Sequence, residues 1–351
     1  MKRHGNLFNK IIDYDNLYYA YTQARKGKRW QKGILDFEKD IKGNLLKLQQ
    51  SLINKTFTTS SYRVKTIYEP KKREIYILPF YPDRILQHAL LQVVSPLWNN
   101  LMIHQSYACR PEKGMHQASR KLMKDIQKYD YCLKCDISKF YPSIDHDIIM
   151  RIVERKIKCK DTLWLLNNII YSFPNGKNTP IGNYTSQWFG NLYMNELDTY
   201  VKHELKIKSY ARYCDDFILL LNDKKELHRL KDLIDIFIHD KLLLKFSKWS
   251  VFNVNQGIDY LGYRHFRSKI LLRKTTSKRV KKRFKILLYN LLENKISLDA
   301  FGSSIASSMG WLKWANTYNL RVEIKLKQLK ELYEGLSKAY KQQRRLKQLK
   351  D

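Results

Sequence analysis

Two adjacent acidic residues, Asp215 and Asp216, lie between two apolar runs in the stretch KSYARYCDDFILLLN (208–222). The flanking runs are short and rich in aromatic and aliphatic residues, so the pattern predicts a β-hairpin with the acidic pair at its turn. Burying two like charges side by side is costly unless a cation holds them. The stretch therefore predicts a metal site, although an isolated Asp-Asp pair is by itself typical of an ordinary turn.

A third carboxylate, Asp136, ends the apolar run in YDYCLKCDIS (129–138), which we interpret as a strand. If this strand and the hairpin are antiparallel neighbours in one sheet, Asp136 lies beside Asp215, although the two are far apart in the chain. Such carboxylates can bind a pair of Mg²⁺ ions, one lowering the pKa of an attacking hydroxyl and the other holding a triphosphate. Phosphoryl transfer is the chemistry that we expect.

The charge balance indicates the partner. The chain has 66 Lys and Arg against 33 Asp and Glu, a formal net charge of +33, together with 24 Tyr, 14 Phe and 7 Trp. Between residues 264 and 285 basic side chains occur without any acidic one, which favours contact with a phosphate backbone. Nucleic acid is therefore the expected partner. Charge alone leaves open a ribosomal-type or merely basic soluble protein.

The sequence contains neither a signal peptide nor a run of transmembrane length, so we predict a cytoplasmic protein without a membrane partner. Its five cysteines do not suggest a disulfide framework. Cys132 and Cys135 form a C-x-x-C motif, but residues three apart on a strand point to opposite faces. We interpret both as packing residues of the strand.

The order of predicted elements gives the fold class. Apolar residues at 34, 37, 41, 45, 48 and 52 predict one amphipathic helix near the N-terminus. A hairpin with a basic tip at residues 70–72 follows, and then come a helix, the Asp136 strand, a helix, a loop leading into a helix, the acidic hairpin, a helix and a short β element. This order predicts an α+β fold with an antiparallel sheet.

Four motifs resemble those of reverse transcriptases, and they occur in that family's order. KCDISKFYPSIDH (134–146) is similar to the first catalytic motif, and YCDD (213–216) to the Y-x-D-D hairpin. TPIGNYTSQWFGNLYMNELD (179–198) resembles the loop and helix that support the nascent base pair. GIDYLGY (257–263) is similar to the primer-grip element.

The resemblance implies a right-hand polymerase fold, with fingers and palm built from an antiparallel sheet flanked by helices and with a helical thumb. It implies four segments: an N-terminal helical extension (1–59), fingers (60–125), a palm with the catalytic carboxylates (126–265) and a basic helical thumb (266–351).

The resemblance also implies roles for single residues. Asp136, Asp215 and Asp216 would be the catalytic residues and the ligands of two Mg²⁺ ions, for which Mn²⁺ could substitute. Tyr141 matches the position where an aromatic ring blocks a ribose 2′-hydroxyl and thereby selects deoxynucleotides. A packed aromatic residue after a strand is the alternative interpretation of Tyr141.

Eight further residues match substrate-binding positions: Lys71, Lys72, Arg73, Arg110, Lys113, Ile181, Gly182 and Lys248. Those on the finger hairpin are candidates for gripping the triphosphate, because a cationic fork suits its geometry; which of them does so is left open. The pair in SYACRPEKG matches an element near the template and the nucleotide. The lysine of KFSKWS is the candidate for protonating pyrophosphate.

Two departures from the usual motifs narrow the subfamily. Ile181 stands where most reverse transcriptases have Gln, and Ser186-Gln187 stands where they have Ser-Pro. This form, together with GWLKWANTYNL (310–320), resembles the reverse transcriptases of diversity-generating retroelements. That subfamily copies a template-repeat RNA with errors at adenines and works with a small basic accessory variability protein. The partners implied are that RNA, its cDNA, dNTPs and the accessory protein.

Three alternatives stay open. One is a bacterial reverse transcriptase of a retron or of an abortive-infection system in phage defence. Another is a catalytically silent RNA-binding scaffold, against which the three carboxylates argue. The third is a polymerase that uses ribonucleotides, which Tyr141 disfavours.

Overall fold

The structure is a computed structural model that describes residues 3–68 and 72–348. The chain forms two compact units, one comprising Met1–Ala118 and Leu133–Val251 and the other comprising Ser119–Cys132 and Phe252–Asp351. The helices in chain order are α1 (Phe8–Ile12), α2 (Tyr14–Ala24), α3 (Lys32–Glu38), α4 (Ile41–Ile53), α5 (Ile85–Asn99), α6 (Met115–Asp125), α7 (Phe140–Ser143), α8 (His146–Glu154), α9 (Lys160–Ile170), α10 (Tyr184–Thr199), α11 (Lys224–Leu242), α12 (Lys274–Leu292), α13 (Leu298–Leu312), α14 (Tyr318–Glu323) and α15 (Leu326–Gln348). The strands are β1 (Arg63–Ile67), β2 (Arg73–Ile77), β3 (Tyr131–Ile137), β4 (Tyr210–Tyr213), β5 (Asp216–Leu221), β6 (Phe246–Asn253), β7 (Ile258–Tyr260), β8 (Tyr263–His265) and β9 (Ile270–Leu272).

One sheet positions the acidic residues, and its strand order is β4-β5-β3-β6. β4 and β5 form the predicted antiparallel hairpin, with Tyr213 paired to Asp216. Residues 217–220 of β5 are all buried, and α11 packs against this strand. β3 is the neighbour of β5, and the end of the Asp136 strand lies at the start of β5, because Lys134 pairs with Asp216 there.

The antiparallel pairing predicted on either side of residues 70–72 is also confirmed, with Arg63 opposite Ile77 and Ile67 opposite Arg73; we call β1 and β2 the finger hairpin. The predicted tip residue Lys71 lies outside the described residues.

The single amphipathic helix predicted near the N-terminus is wrong, because the chain forms α3 and α4 there. Asp40 leaves the helical conformation and caps the start of α4, because its carboxylate accepts a hydrogen bond from the backbone N–H of Gly43. The apolar spacing continues across the break, with Phe37 and Leu45 both buried. Periodicity identified the buried face but not the capping residue that interrupts it.

In the second unit, β7, β8 and β9 form an antiparallel sheet. The turn between β7 and β8 has Leu261 and Gly262 both at positive φ, as a tight two-residue hairpin requires. The indole of Trp311 packs over this turn, 5.2 Å from the ring of Tyr263 between centroids. Among the described residues no helix is long and apolar enough to span a membrane.

The basic helix predicted after residue 264 is α12. Phe284 is buried on one side, whereas Lys278, Arg279 and Lys282 are exposed. The positive charges therefore lie opposite the apolar face, as predicted.

Candidate active site

The acidic pair occupies the tightest point of the β4–β5 hairpin. Cys214 and Asp215 form a two-residue turn between the paired residues Tyr213 and Asp216. Cys214 has a φ of 55°, in the left-handed region that glycine usually takes. Such backbone outliers persist only where the surrounding structure holds them, and they are frequent at functional sites.

Asp136 lies beside this turn and interacts electrostatically with the carboxylates of Asp215 and Asp216. On β3, the ammonium group of Lys134 pairs with Asp216 at 3.4 Å. On β6, the hydroxyl of Ser247 donates a hydrogen bond of 2.9 Å to a carboxylate oxygen of Asp136. Strand pairing thus brings together acidic residues that are far apart in the chain.

The electrostatics of the three carboxylates are unfavourable without a cation. Burial raises the pKa of Asp215, and the negative charge of Asp136 raises it further. Burial is also the largest cause that raises the pKa of Asp216 to about 7, with Asp136 and Asp215 adding to it and Lys134 opposing it. One oxygen of Asp216 is buried without a hydrogen-bond partner. An orphaned carboxylate oxygen beside two like charges fits a site for a divalent cation.

Protein side chains alone do not enclose a metal here. Across the part of the chain that the structure describes, no group of three or more His, Cys, Asp or Glu side chains is arranged to hold an ion. Mg²⁺ is commonly bound by one or two carboxylates, with waters and substrate phosphates completing its shell. Asp136 and Asp215 suit that kind of open site.

Tyr141, on α7, lies against the same turn. Burial raises the pKa of its hydroxyl strongly, with Cys214, Cys109 and Asp215 as further causes. Gly190 of α10 permits this packing, because a Cβ atom there would lie 3.2 Å from the Tyr141 ring. The ring is thus held between α10 and the carboxylate turn.

The loop before α10 lies against the finger hairpin. The backbone carbonyl of Ile181 accepts a 2.7 Å hydrogen bond from the N–H of Tyr76 in β2. Gly182 has a φ of +126°, and a Cβ atom there would lie 2.2 Å from the carbonyl oxygen of Tyr76. Only glycine fits this approach. The side chain of Ile181 is half-buried. Because it is aliphatic, it offers no polar atom at this place.

Of the predicted finger cations, Lys72 and Arg73 are exposed. The charge of Arg73 lowers the pKa of Asp215, so Arg73 is within electrostatic reach of the turn. This interaction links the tip end of the finger hairpin, where Arg73 pairs with Ile67, to the candidate site.

Two further predicted substrate-binding residues, Arg110 and Lys113, make contacts within their own part of the chain. Arg110 donates to Asn99, to the carbonyl of Ile103 and to the carbonyl of Ser106, so its guanidinium braces its own loop. The ammonium group of Lys113 lies 5.5 Å from the centre of the Tyr107 ring.

Lys248 is exposed on β6. Successive side chains of a strand point to opposite faces, and the preceding Ser247 points at Asp136. The structure therefore does not bring Lys248 to the carboxylates from its position on the strand.

Sequence reasoning missed several residues at the site. Lys134 could have been found by its spacing, since it lies two residues before Asp136 and so shares a face of β3. Ser247 carried no signal, because β6 itself was not predicted. A buried ion pair of 2.6 Å between Arg212 and Asp198 also went unnoticed, although charged residues in a buried strand and helix call for a partner.

Comparisons with known proteins agree with this geometry. The profile of the family described as reverse transcriptase (RNA-dependent DNA polymerase) matches residues 68–265. The group II intron-encoded protein LtrA of Lactococcus lactis subsp. cremoris is 23% identical, over 73% of this chain and 56% of that protein. Protein YkfC of Escherichia coli (strain K12) is 23% identical, over 58% of this chain and 67% of that protein. The chain thus spans little more than half of the intron-encoded protein.

A solved structure of telomerase from Candida albicans, in complex with the TWJ fragment of telomeric RNA, matches with a TM-score of 0.50. It is 12% identical and covers 82% of this chain and 64% of that one, a likeness of fold. The predicted α+β polymerase fold, with antiparallel sheets flanked by helices, is thereby confirmed. The family profile covers more than half of the sequence, and the chain belongs to the reverse transcriptase family.

Proposed function

We propose that this chain is an RNA-directed DNA polymerase that makes error-prone, adenine-mutagenic cDNA from a template-repeat RNA in a diversity-generating retroelement. The observation that carries the enzymatic part is the convergence of Asp136 with the Asp215–Asp216 turn. The unusual loop sequence at Ile181 supports the mutagenic part.

The chain's own residues divide the work of nucleotide addition. Asp136 and Asp215 would hold two Mg²⁺ ions, or Mn²⁺ in their place, with Asp216 supporting. When bound, such ions activate the 3′-hydroxyl of the primer and neutralise charge on the triphosphate and the leaving pyrophosphate. Ser247 orients Asp136 by its hydrogen bond, and Lys134 limits the charge on Asp216.

Selection of the sugar falls to Tyr141. Its ring is held by the close approach of α10 at Gly190 and lies against the turn that carries Asp215. A rigid ring at this place excludes a 2′-hydroxyl by volume, so deoxynucleotides are the substrate.

The finger hairpin supplies the cations for the triphosphate. Arg73 is exposed and acts electrostatically on Asp215, which makes it our first choice, with Lys72 and Lys71 beside it in sequence. Arg110 and Lys113 contribute by shaping the loop that borders the site. Lys248 stays our candidate for protonating pyrophosphate, which requires its long side chain to reach around the edge of β6.

Base-pair fidelity depends on the loop at Ile181 and Gly182. The glycine lets the loop contact the backbone of Tyr76 in the finger hairpin, so the neighbouring side chain is held at that contact. An aliphatic side chain cannot hydrogen-bond to a base or sugar. Discrimination among bases changes tenfold for about 1.4 kcal/mol, so the loss of one polar contact is enough to admit mispairs.

From the resemblance of the motifs to those of reverse transcriptases, we assign four functional segments: a helical extension (1–59), fingers (60–125), palm (126–265) and thumb (266–351). The exposed basic face of α12 would contact the phosphate backbone of the template and product. A small basic accessory variability protein would complete the active complex.

The test is cDNA synthesis by the purified protein with a template-repeat RNA, the accessory protein and dNTPs, followed by sequencing. We expect the unchanged protein to make cDNA whose errors concentrate opposite template adenines. We expect Asp215→Asn to make no cDNA. Asp232→Asn, a change at an exposed acid of α11, should behave like the unchanged protein.

Two results would contradict the proposal in different ways. Accurate cDNA without an excess of adenine errors would favour a retron or an abortive-infection reverse transcriptase. Failure to make cDNA with either variant or with the unchanged protein, despite RNA binding, would favour a silent scaffold.

A further inference from the structure

Two cysteines meet beside the carboxylate turn. Cys109 lies three residues after Ser106 and Cys214 two residues after Arg212, and Ser106 and Arg212 pair as a parallel bridge, so the two thiols are close enough to influence one another's pKa. Both are free cysteines; Cys109 is exposed, and Cys214 is partly exposed. Both also have left-handed backbone conformations, with φ values of 53° and 55°. Two adjacent thiols on strained turns, one open to solvent, form a candidate modification site.

The contact between the thiols is fixed by backbone pairing rather than by chance. The segment before Cys109 runs alongside β4, where the N–H of Tyr107 donates to the carbonyl of Arg212 at 2.9 Å. In return, the N–H of Arg212 donates to the carbonyl of Gln105 at 3.0 Å. Each cysteine follows this pairing within a few residues.

Buried side chains hold both cysteine segments from the other side. The guanidinium of Arg212 is fully buried and donates to the hydroxyl of Ser106 and to the carbonyl of Cys214, both at 2.9 Å. The amide of Asn191 donates a 2.8 Å hydrogen bond to the carbonyl of Ala108, the neighbour of Cys109. These hydrogen bonds tie both cysteine segments to buried side chains of the same region.

We propose that Cys109 and Cys214 are a redox-sensitive thiol pair that closes to a disulfide in the presence of hydrogen peroxide and reopens with a dithiol reductant. The bond would join the loop of residues 105–109 to the turn that carries Asp215.

The chemistry balances with one peroxide. The Cys109 thiolate attacks one peroxide oxygen, the O–O bond breaks, and the leaving hydroxide takes up a proton, which leaves a sulfenic acid and water. The sulfur of Cys214 then loses its proton and attacks the sulfenic sulfur, the S–O bond breaks, and a second water leaves. Two thiols and one peroxide thus give one disulfide and two waters.

Exposure makes Cys109 the attacking residue and Cys214 the resolving one. Interaction with the Cys214 thiol lowers the pKa of the Cys109 thiol to about 7, with burial opposing. An exposed thiol of this kind reacts as its thiolate. The lowered pKa of Cys109 therefore agrees with its exposure in making it the first thiol to react.

The effect on catalysis rests on the proposed function. Cys214 directly precedes Asp215, and it is among the groups that raise the pKa of Tyr141. Closing the disulfide removes the Cys214 thiol hydrogen and ties the turn to a second loop. A small displacement of catalytic groups can reduce a rate about 100-fold. Oxidation should therefore switch polymerisation off.

The test is peroxide treatment of the purified protein, alkylation of the remaining thiols and peptide mapping without reduction. We expect a peptide linked through Cys109 and Cys214, a loss of dNTP incorporation of about 100-fold, and recovery of both after a dithiol reductant. Cys109→Ser should form no link, keep its starting activity and resist peroxide. Cys159→Ser, a change at a free cysteine directly before α9, should respond like the unchanged protein.

Cys214→Ser provides a second variant and should also form no link. The proposal is overturned if peroxide converts Cys109 to the sulfinic acid without a link, or if Cys109→Ser is as sensitive to peroxide as the unchanged protein. If the link forms reversibly but no preparation polymerises, the thiol pair stands and the proposed polymerase function fails.

Discussion

The ammonium group of Lys134, on β3, lies 3.4 Å from a carboxylate oxygen of Asp216, the first residue of β5. This pair neutralises only part of the local charge, because burial, Asp136 and Asp215 together raise the pKa of Asp216 to about 7 against the effect of Lys134. The site thus holds more negative charge than its neighbouring cations balance. That excess is what a divalent cation would relieve.

The first prediction concerns the stability of the metal-free protein. The pKa of Asp216 is raised from 3.8 to about 7 in the folded state, so folding favours its protonated form. The contribution of this group is complete below the unfolded pKa and is lost as pH rises through 7. We expect Asp216→Asn to be more stable than the unchanged protein by an amount that grows between about pH 5 and about pH 8.5, to a few kcal/mol.

Thermal unfolding of both proteins in a chelator at the two pH values measures this difference. Asp232→Asn, at an exposed acid, is the control and should give no pH-dependent difference. An equal difference for Asp216→Asn at both pH values would contradict the predicted pKa. Added Mg²⁺ should narrow the gap, since it binds the unchanged carboxylate.

A second prediction tests the contact between the α10 loop and the finger hairpin. Gly182 and Gly176 both have positive φ, at +126° and +65°, but only at Gly182 would a Cβ atom meet a backbone atom, the Tyr76 carbonyl oxygen at 2.2 Å. We expect Gly176→Ala to cost about 1 kcal/mol and Gly182→Ala to cost about 3 kcal/mol. Urea unfolding of the two variants measures both costs, and equal values would refute the close approach.

A third prediction concerns sugar selection. Tyr141→Ala removes the ring beside the Asp215 turn, so we expect discrimination between dNTPs and rNTPs to fall tenfold or more, about 1.4 kcal/mol. Tyr141→Phe keeps the ring and should retain discrimination, which separates the block by volume from any role of the hydroxyl. Single-nucleotide extension with each sugar measures the ratio. Unchanged ratios in Tyr141→Ala would mean that the ring is only a packing residue.

A fourth prediction concerns fidelity. Ile181→Gln supplies a hydrogen-bonding side chain at the loop that contacts Tyr76, so the rate of adenine errors on an RNA template should fall about tenfold. Ile236→Gln makes the same change at an exposed site of α11 and should leave the error rate as it is. Sequencing of the cDNA decides between them. An unchanged adenine error rate in Ile181→Gln would remove this residue from the account.

The local elements of the site could be predicted from the sequence because their signals are local. Two short apolar runs on either side of an acidic pair identified the β4–β5 hairpin, and a third apolar run identified β3. The pairing of β3 with β5 was expected only from the chemistry of Asp136 and Asp215. Pairing between strands that are far apart in the chain produces no periodic pattern in the sequence. The two strands were therefore expected to be neighbours only because a metal site would need carboxylates from both.

Other features escaped because they depend on tertiary contacts. β6 is exposed over residues 247–250, so its sequence FSKWSVFN shows little of the alternation that a half-buried strand produces. The hydrogen bond from Ser247 to Asp136 was missed with it. The contact between Cys109 and Cys214 likewise arises from the pairing of a loop with β4, which neither motif predicts.

The central claim is that Asp136 and Asp215, from separate strands, act as one site. It is tested most directly by Mg²⁺-dependent incorporation of dNTPs on a primed RNA by Asp136→Asn, Asp215→Asn and the double variant. If the two carboxylates act as a unit, each single change abolishes most activity and the double change costs no more than the worse single one. Single variants that polymerise like the unchanged protein, or losses that multiply in the double variant, would contradict it.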